Sequence, residues 1–407
     1  DDAGSGTTGN VVNVSNIQTL RLTAELTGAG TIDMSDLTGL TTIDIDDFGD
    51  SLAADAHAIT NAPDTLTVLV GDADSDHDSA AEADATLAIG FAANSSSNNM
   101  TLTLEGVGIA AMTSSDNFID NLTINSNGHA NIIEDISAFT AKSITATGAF
   151  ALDVNDNALS TSTTIFDASA MTAAVSVTAS ATAAELTGGS GGDTLTGGSS
   201  ADIISGGAGT DTINGKGGID TITLGGGVDQ LHYDTVAVDV IKDFTAGASG
   251  DQLDIDEADL DAADAVIAST TIDLVEIFDN NTVANGTAKI QILEGQESAA
   301  DAVNIFLIDL AGVTYANAAA AVDAMESGGA AQLTFAGNIA KDDGFVFGYE
   351  RTAGGVGIAI ANFAAADDNS GGAAATGAAN LESADLLVFE SVTDISTLVA
   401  ANFDFVA

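Results

Sequence analysis

Short apolar-polar-apolar triplets recur along the first half of the chain: Leu20-Arg-Leu22, Ile43-Asp-Ile45, Leu66-Thr-Val68, Leu102-Thr-Leu104, Leu122-Thr-Ile124, Ile144-Thr-Ala146 and Val175-Ser-Val177, with Ile165 standing where another would fall. Alternation with a period of two marks a strand with one face turned inward. Most steps between triplets are 20 to 23 residues. A steady step of that size predicts one solenoid coil per step. A second phrase repeats beside the strands: Asp33-Met-Ser-Asp-Leu-Thr38, Asp135-Ile-Ser-Ala-Phe-Thr140 and Asp167-Ala-Ser-Ala-Met-Thr172. Recurrence of turn and strand together predicts stacked, mostly parallel β coils with few helices. An ordinary β-sandwich, whose strands also alternate, is the competing reading.

The pattern tightens between residues 188 and 232 into five nine-residue units, beginning Gly188-Gly-Ser-Gly-Gly-Asp193-Thr-Leu195-Thr. Asp193, Asp202, Asp211, Asp220 and Asp229 recur every nine residues, each followed two places later by Leu195, Ile204, Ile213, Ile222 or Leu231. Glycines at the first, second and fourth places, among them Gly189, Gly191, Gly207, Gly209 and Gly218, allow turns through positive φ. Two nonads then make one coil, and residues eighteen apart lie on adjacent rungs about 4.8 Å from each other. That places Asp193 over Asp211, Asp202 over Asp220, and Asp211 over Asp229. Stacked carboxylates repel unless a hard cation with oxygen ligands at roughly 2.3 to 2.6 Å lies between them. Calcium fits, with glycine carbonyls completing its shell. A flexible glycine-rich linker would keep neither register.

These nonads resemble the glycine- and aspartate-rich repeat of RTX proteins, which implies a calcium-binding parallel β-roll. Two units depart from that pattern: Ser200 replaces a glycine in the second and Lys216 one in the fourth. Those two loops are the weaker ligand sets. The stretch after the nonads, Tyr233-Asp234, Val240-Ile-Lys-Asp243-Phe244-Thr-Ala-Gly247 and Asp251-Gln-Leu-Asp254-Ile255, resembles the segment that closes RTX rolls. The resemblance implies Asp234, Asp243, Asp251 and Asp254 as secondary metal candidates. The end of the chain, Asp385-Leu-Leu-Val-Phe389 and Phe403-Asp-Phe-Val-Ala407, resembles the uncleaved carboxy-terminal signals of RTX export; a last edge strand is the alternative.

Charge sharpens this picture. Sixty acidic side chains stand against 7 basic ones, a net of −53. Nucleic acid and anionic membranes repel such a chain, whereas divalent cations are drawn to it. Cysteine is absent, which excludes disulfides and thiolate metal sites. No run of eighteen apolar residues predicts a membrane span. No amino-terminal secretion signal is read, and a chain opening on Asp1 is read as a fragment or processed product. Between Leu66 and Leu102 the step lengthens to take in Asp72, Asp74, Asp76 and Asp78, then Glu82 and Asp84. Alternating carboxylates suggest a second kind of calcium loop, with a solvated acidic loop as the alternative. It is no EF-hand, since His77 stands where glycine is needed and Ala83 where the bidentate glutamate belongs.

Towards the carboxy terminus, Ala318 to Met325 predicts a short helix ended by Gly328-Gly329. Phe345 to Glu350 and Val356 to Asn362 predict a hairpin around Gly354-Gly355, and residues 364 to 379 a loop. Catalytic patterns are missing from this reading. His57, His77, His129 and His232 are scattered, and none forms His-Glu-x-x-His. Gly188 to Gly192 matches the hydrolase elbow by letter alone, without its strand-to-helix setting.

The expectation is an all-β chain: a β-solenoid over 1–187, a calcium β-roll over 188–234, and a β-rich cap with little helix over 235–407. It most resembles the RTX-type S-layer proteins of Gram-negative bacteria. The resemblance implies a non-enzymatic, self-associating surface protein, exported by type I secretion and folded by several Ca2+ ions. Its expected partner is a second copy of itself, with cell-surface polysaccharide as a further partner bound through a region outside this sequence. Two alternatives remain open: the carboxy-terminal module of a secreted adhesin, and the non-catalytic half of an RTX exoenzyme.

Overall fold

The computed structural model describes residues 17–22, 30–35, 37, 39–45, 55–71, 85–92, 98–114, 119–155, 157–233, 237–256, 290–293, 297–298, 305–310, 312–325, 333–334, 344–363 and 381–406. The chain forms two compact units, residues 1–209 and 210–407. It is a parallel β-solenoid, mostly strand. Among the described residues, no helix is long and apolar enough to cross a membrane.

In the first unit one sheet runs Thr19–Leu22, Thr42–Ile45, Thr65–Gly71, Asn99–Glu105, Ile119–Asn127, Ala141–Gly148, Ile165–Met171, Glu185–Thr187, Ile203–Ser205, each strand parallel to the next. Early coils return through a second sheet, Gly30–Asp33, Asp55–Ala62, Ala85–Phe91, Ala111–Ser114. Later coils return through a third, Gly108–Ile109, Asn131–Ile133, Leu152–Val154, Val175–Thr178, Thr194–Thr196. In the long coils Asn99, Asn121 and Ser143 lie in register, 22 residues apart. In the nonads Glu185 pairs with Ile203 and Ser176 with Thr194, a coil of eighteen. The glycine-rich turns shorten the coil without interrupting the stack.

Ile43, Val68, Leu102, Ile124 and Ala146 form an inward column, each fully buried or nearly so. Burying each larger aliphatic side chain contributes about 1.5 to 3 kcal/mol, and the neighbouring column of Leu66, Met100, Leu122, Ile144, Phe166 and Leu186 is as deeply buried. The register differs by two residues from the triplet reading at three steps, into Thr65–Gly71, Asn99–Glu105 and Ile119–Asn127. Because side chains alternate with a period of two, the same residues still face inward. Ile165 is a correction: it is 40% exposed, and Phe166 takes the interior place between Ile144 and Leu186. On the opposite face of the same sheet Thr19, Thr42, Thr67, Thr101, Thr123 and Thr145 stand in one unbroken column.

The repeated six-residue phrase is a corner. Asp33, Asp135 and Asp167 each accept, through Oδ1, the N–H two residues on, from Ser35, Ser137 and Ser169, all at 2.9 Å. This is an Asx turn, which frees the backbone from its strand and swings the next apolar residue inward. Met34, Ile136 and Ala168 are accordingly buried.

In the second unit, Thr212–Asn214, Gln230–Tyr233, Gln252–Asp256 and Phe403–Val406 form one parallel sheet. Another sheet runs Thr221–Thr223, Asp239–Ile241, Leu381–Phe389, Val356–Phe363, Gly344–Glu350, Ile305–Ile308, Ile290–Leu293. Within it, Gly344–Glu350 and Val356–Phe363 are the expected antiparallel hairpin. The expected helix spans Ala318–Met325 and buries Ala321, Val322 and Met325 in a cluster with Phe345, Phe347 and Tyr349.

The end of the chain returns to the roll. Leu381–Phe389 is an interior strand, parallel to Asp239–Ile241 and antiparallel to Val356–Phe363. Phe403–Val406 is the terminal strand of its sheet. Between them Asn402, fully buried, accepts the N–H groups of Gly247 and Val399 at 2.9 and 3.0 Å. Its amide donates to the carbonyls of Gly247 and Asp251 at 3.1 and 2.8 Å. Phe389 stacks on Phe244 with ring centroids 4.0 Å apart, and Ser391 Oγ donates to the Phe244 carbonyl. The loop holding Asp72, Asp74, Asp76 and Asp78 lies outside the described residues, as do Asp234 and residues 364–379.

Candidate metal centre

The aliphatic residue of each nonad fills the coil interior, as the register requires: Leu195, Ile204, Ile213, Ile222 and Leu231 are all buried. The aspartates are buried too, none more than 2% exposed. They sit in the turns and bind main chain. Asp193 Oδ1 accepts the Val175 N–H of the preceding coil at 2.8 Å, and Oδ2 accepts the Gly189 N–H of its own turn at 2.6 Å. Asp202 repeats this with Ala184 and Gly198, both at 2.7 Å. In the second unit Asp229 Oδ1 accepts the Asp211 N–H at 2.9 Å.

Eighteen-residue neighbours therefore meet, but as amide against carboxylate rather than carboxylate against carboxylate. Spacing fixes which residues are adjacent and leaves open which atoms touch. The columns also run past the last nonad. Asp239 Oδ1 accepts the Asp220 N–H at 2.8 Å, and Asp251 Oδ1 the Asp229 N–H at 3.0 Å. Asp239 escapes a nine-residue search because it lies ten residues after Asp229. Its signal is the aspartate preceding an aliphatic pair, Val240-Ile241.

The closing segment divides by role. Asp243 accepts the N–H groups of Leu224 and Gly225 at 2.7 and 2.9 Å, and Asp251 also accepts the Thr245 N–H at 2.7 Å. Both hold the turns of neighbouring coils. Asp254 stands apart from those turns, on strand Gln252–Asp256, in register with His232 and Asp404. Burial raises its pKa, Asp404 adds to the rise, and His232 opposes it.

The glycines bring main-chain oxygen into the turns. Gly207 and Gly209 have φ of 107° and 131°, a region open to glycine. A Cβ at Gly207 would meet the Gly189 carbonyl oxygen at 2.2 Å, and one at Gly209 the Gly191 oxygen at 2.0 Å. Replacing Gly209 by alanine is expected to remove about 3 kcal/mol of stability, since neither strained φ nor backbone clash can relax cheaply. Gly226→Ala, where nothing lies within 4 Å, should be nearly neutral. Equal thermal midpoints for the two variants would refute the close approach of coils.

Does this geometry suit a cation? Asp229 Oδ2 is buried without a hydrogen-bond donor. Burial raises the Asp229 pKa, the Asp211 N–H opposes that, and the charges of Asp251 and Asp243 add to the rise. An anionic oxygen so placed favours either a proton or a metal ion. Every donor atom in these turns is oxygen, which suits a hard ion such as calcium. Among the described residues no three His, Cys, Asp or Glu side chains converge, so a cation here takes most of its oxygens from main chain.

The proton is the other way to neutralise these groups. Burial also raises the pKa of Asp193 and Asp202 against their backbone hydrogen bonds. A carboxyl with a raised folded pKa binds more protons folded than unfolded, so stability falls as pH climbs from the unfolded value, about 3.9, through the raised one. In chelator, the protein is expected to melt higher near about pH 5 than near about pH 8, and calcium should flatten the difference. Thermal unfolding followed by circular dichroism checks this; a chelated melting point that climbs with pH contradicts it.

A family model described as the RTX calcium-binding nonapeptide repeat, four copies, matches residues 187–222 and 205–235. No curated protein matches the chain. The nonad run is thus a set of RTX repeats, which bind Ca2+ in several copies.

Proposed function

We propose that this chain is a calcium-dependent, self-assembling cell-surface protein of the S-layer kind, without catalytic activity and exported by a type I route. One observation carries the reading most: in the first unit the long coils pass into the RTX coils without a break, Ile144, Phe166, Leu186 and Ile204 following one another in register. In that unit the calcium repeats thereby continue the long coils rather than hang from them as an appendage.

The ions would be held by Asp193, Asp202, Asp211, Asp220 and Asp229 together with main-chain oxygens at Gly189, Gly191, Gly207, Gly209 and Gly218. Bound calcium supplies positive charge and oxygen coordination. The chain's own part is to present buried carboxylates in turns that glycine makes most readily. At a net charge of −53, two copies repel at every approach, so ions shared between acidic faces give a natural and reversible means of association. Low calcium leaves the acidic chain open for threading, and high calcium closes it outside.

Negative-stain electron microscopy with and without about 10 mM calcium, beside circular dichroism of the same samples, tests the proposal. Sheets or filaments that form with calcium and vanish with chelator are the expected result. A calcium-folded chain that stays monomeric at high concentration overturns the assembly claim and favours an adhesin module.

A further inference from the structure

Lys216 occupies the second place of the fourth nonad, where the other four units have Gly189, Gly198, Gly207 and Gly225. That place takes positive φ in neighbouring coils, 107° at Gly207 and 104° at Gly225. Lys216 adopts it as well, with φ 60°. Among the described residues the other non-glycine with positive φ is Asn61, a type that tolerates the region; lysine does not share that tolerance.

The second-place amides find different acceptors along the run, that of Gly225 going to Asp243. In the first two nonads the second-place N–H donates to the aspartate of its own turn, Gly189 to Asp193 and Gly198 to Asp202. The Lys216 N–H donates instead to Asn214 Oδ1 at 2.8 Å, drawn into an Asx turn. Lys216 is nevertheless one peptide from the carboxylate: a Cβ on Gly215 would lie 2.5 Å from Asp220 Oδ2. Its side chain is exposed and carries one of only 7 basic charges in the chain.

Resting on the calcium reading above, we infer that Lys216 sets the affinity of the Asp220 turn and makes it the last of the nonad turns to take up calcium. Two effects act in one direction. A dication meets a positive charge on the same turn. The coil also closes only with a lysine held in a strained backbone region. The roll then responds to calcium in two stages, the tight turns first and the Asp220 turn at higher concentration.

The test compares the full chain with K216G and K216Q in calcium titrations followed by calorimetry and far-ultraviolet circular dichroism. Glycine suits positive φ, so K216G is expected to fold; K216Q removes the charge and keeps the strain. The expected result is a weak calcium phase in the native chain that moves about tenfold tighter in K216G and part of the way in K216Q, with the tight phase unmoved. Curves that superimpose for all three proteins while still showing calcium uptake overturn the role of Lys216 and leave the calcium reading standing. No calcium response in any of the three overturns both.

Discussion

Chelation at neutral pH is expected to unfold the RTX coils and lower the thermal midpoint by tens of degrees, the largest change of any treatment considered. The buried aspartates explain the size. An ion held a hundredfold above its dissociation constant adds about 2.7 kcal/mol, so two such ions already match the lower end of a domain's total stability, about 5 kcal/mol. Without them Asp229 keeps a buried oxygen with no donor, beside the like charges of Asp243 and Asp251. Hydrogen exchange should show the loss first in the turns of residues 188–233, while strands Asn99–Glu105, Ile119–Asn127 and Ala141–Gly148, held by their apolar column, stay protected. Uniform protection with and without chelator would contradict a structural role for the ion.

The second large effect is expected from a residue more than 150 positions from the roll it secures. Asn402→Ala removes four hydrogen bonds from a fully buried site and leaves two N–H groups and two carbonyls to find other partners. At about 1 kcal/mol or more for each group left unsatisfied, a loss near 4 kcal/mol and a midpoint lower by about 10 °C are expected. Asn402→Asp keeps the shape but sets an anion against the carbonyls of Gly247 and Asp251, so it should be no better. A midpoint within about 2 °C of the native one for both variants would show that the carboxy-terminal return does not hold the closing segment.

How much of this could be read from residues alone depends on what each element spends its letters on. The RTX coils were legible because turn, buried carboxylate and core each demand one residue type at a fixed place, as in Gly207, Asp211 and Ile213. The long coils were legible through their longer strands, and helix Ala318–Met325 and the hairpin through local pattern. Strands such as Asn131–Ile133 and Leu152–Val154 escaped notice, since three residues with two inward side chains carry no period. Ile165 was placed inward because a β-branched residue fitted the step; one more residue in the coil gave that place to Phe166. The return of Leu381–Phe389 to the roll has no local signature, because its partner Asp239–Ile241 is remote in sequence.

The outward threonine column has a consequence of its own. From Thr19 to Thr145 successive rungs offer the same group at the same place, and between Asn99 and Ser143 they do so at a constant interval of 22 residues. Such rungs are interchangeable parts. A gene that duplicates or drops one whole interval changes the height of the stack while leaving its outer chemistry and its inner column as they were. Loss of a single residue inside a strand instead turns the rest of that strand's side chains to the wrong face. Selection can therefore tune the length of this protein in whole rungs, independently of the calcium coils.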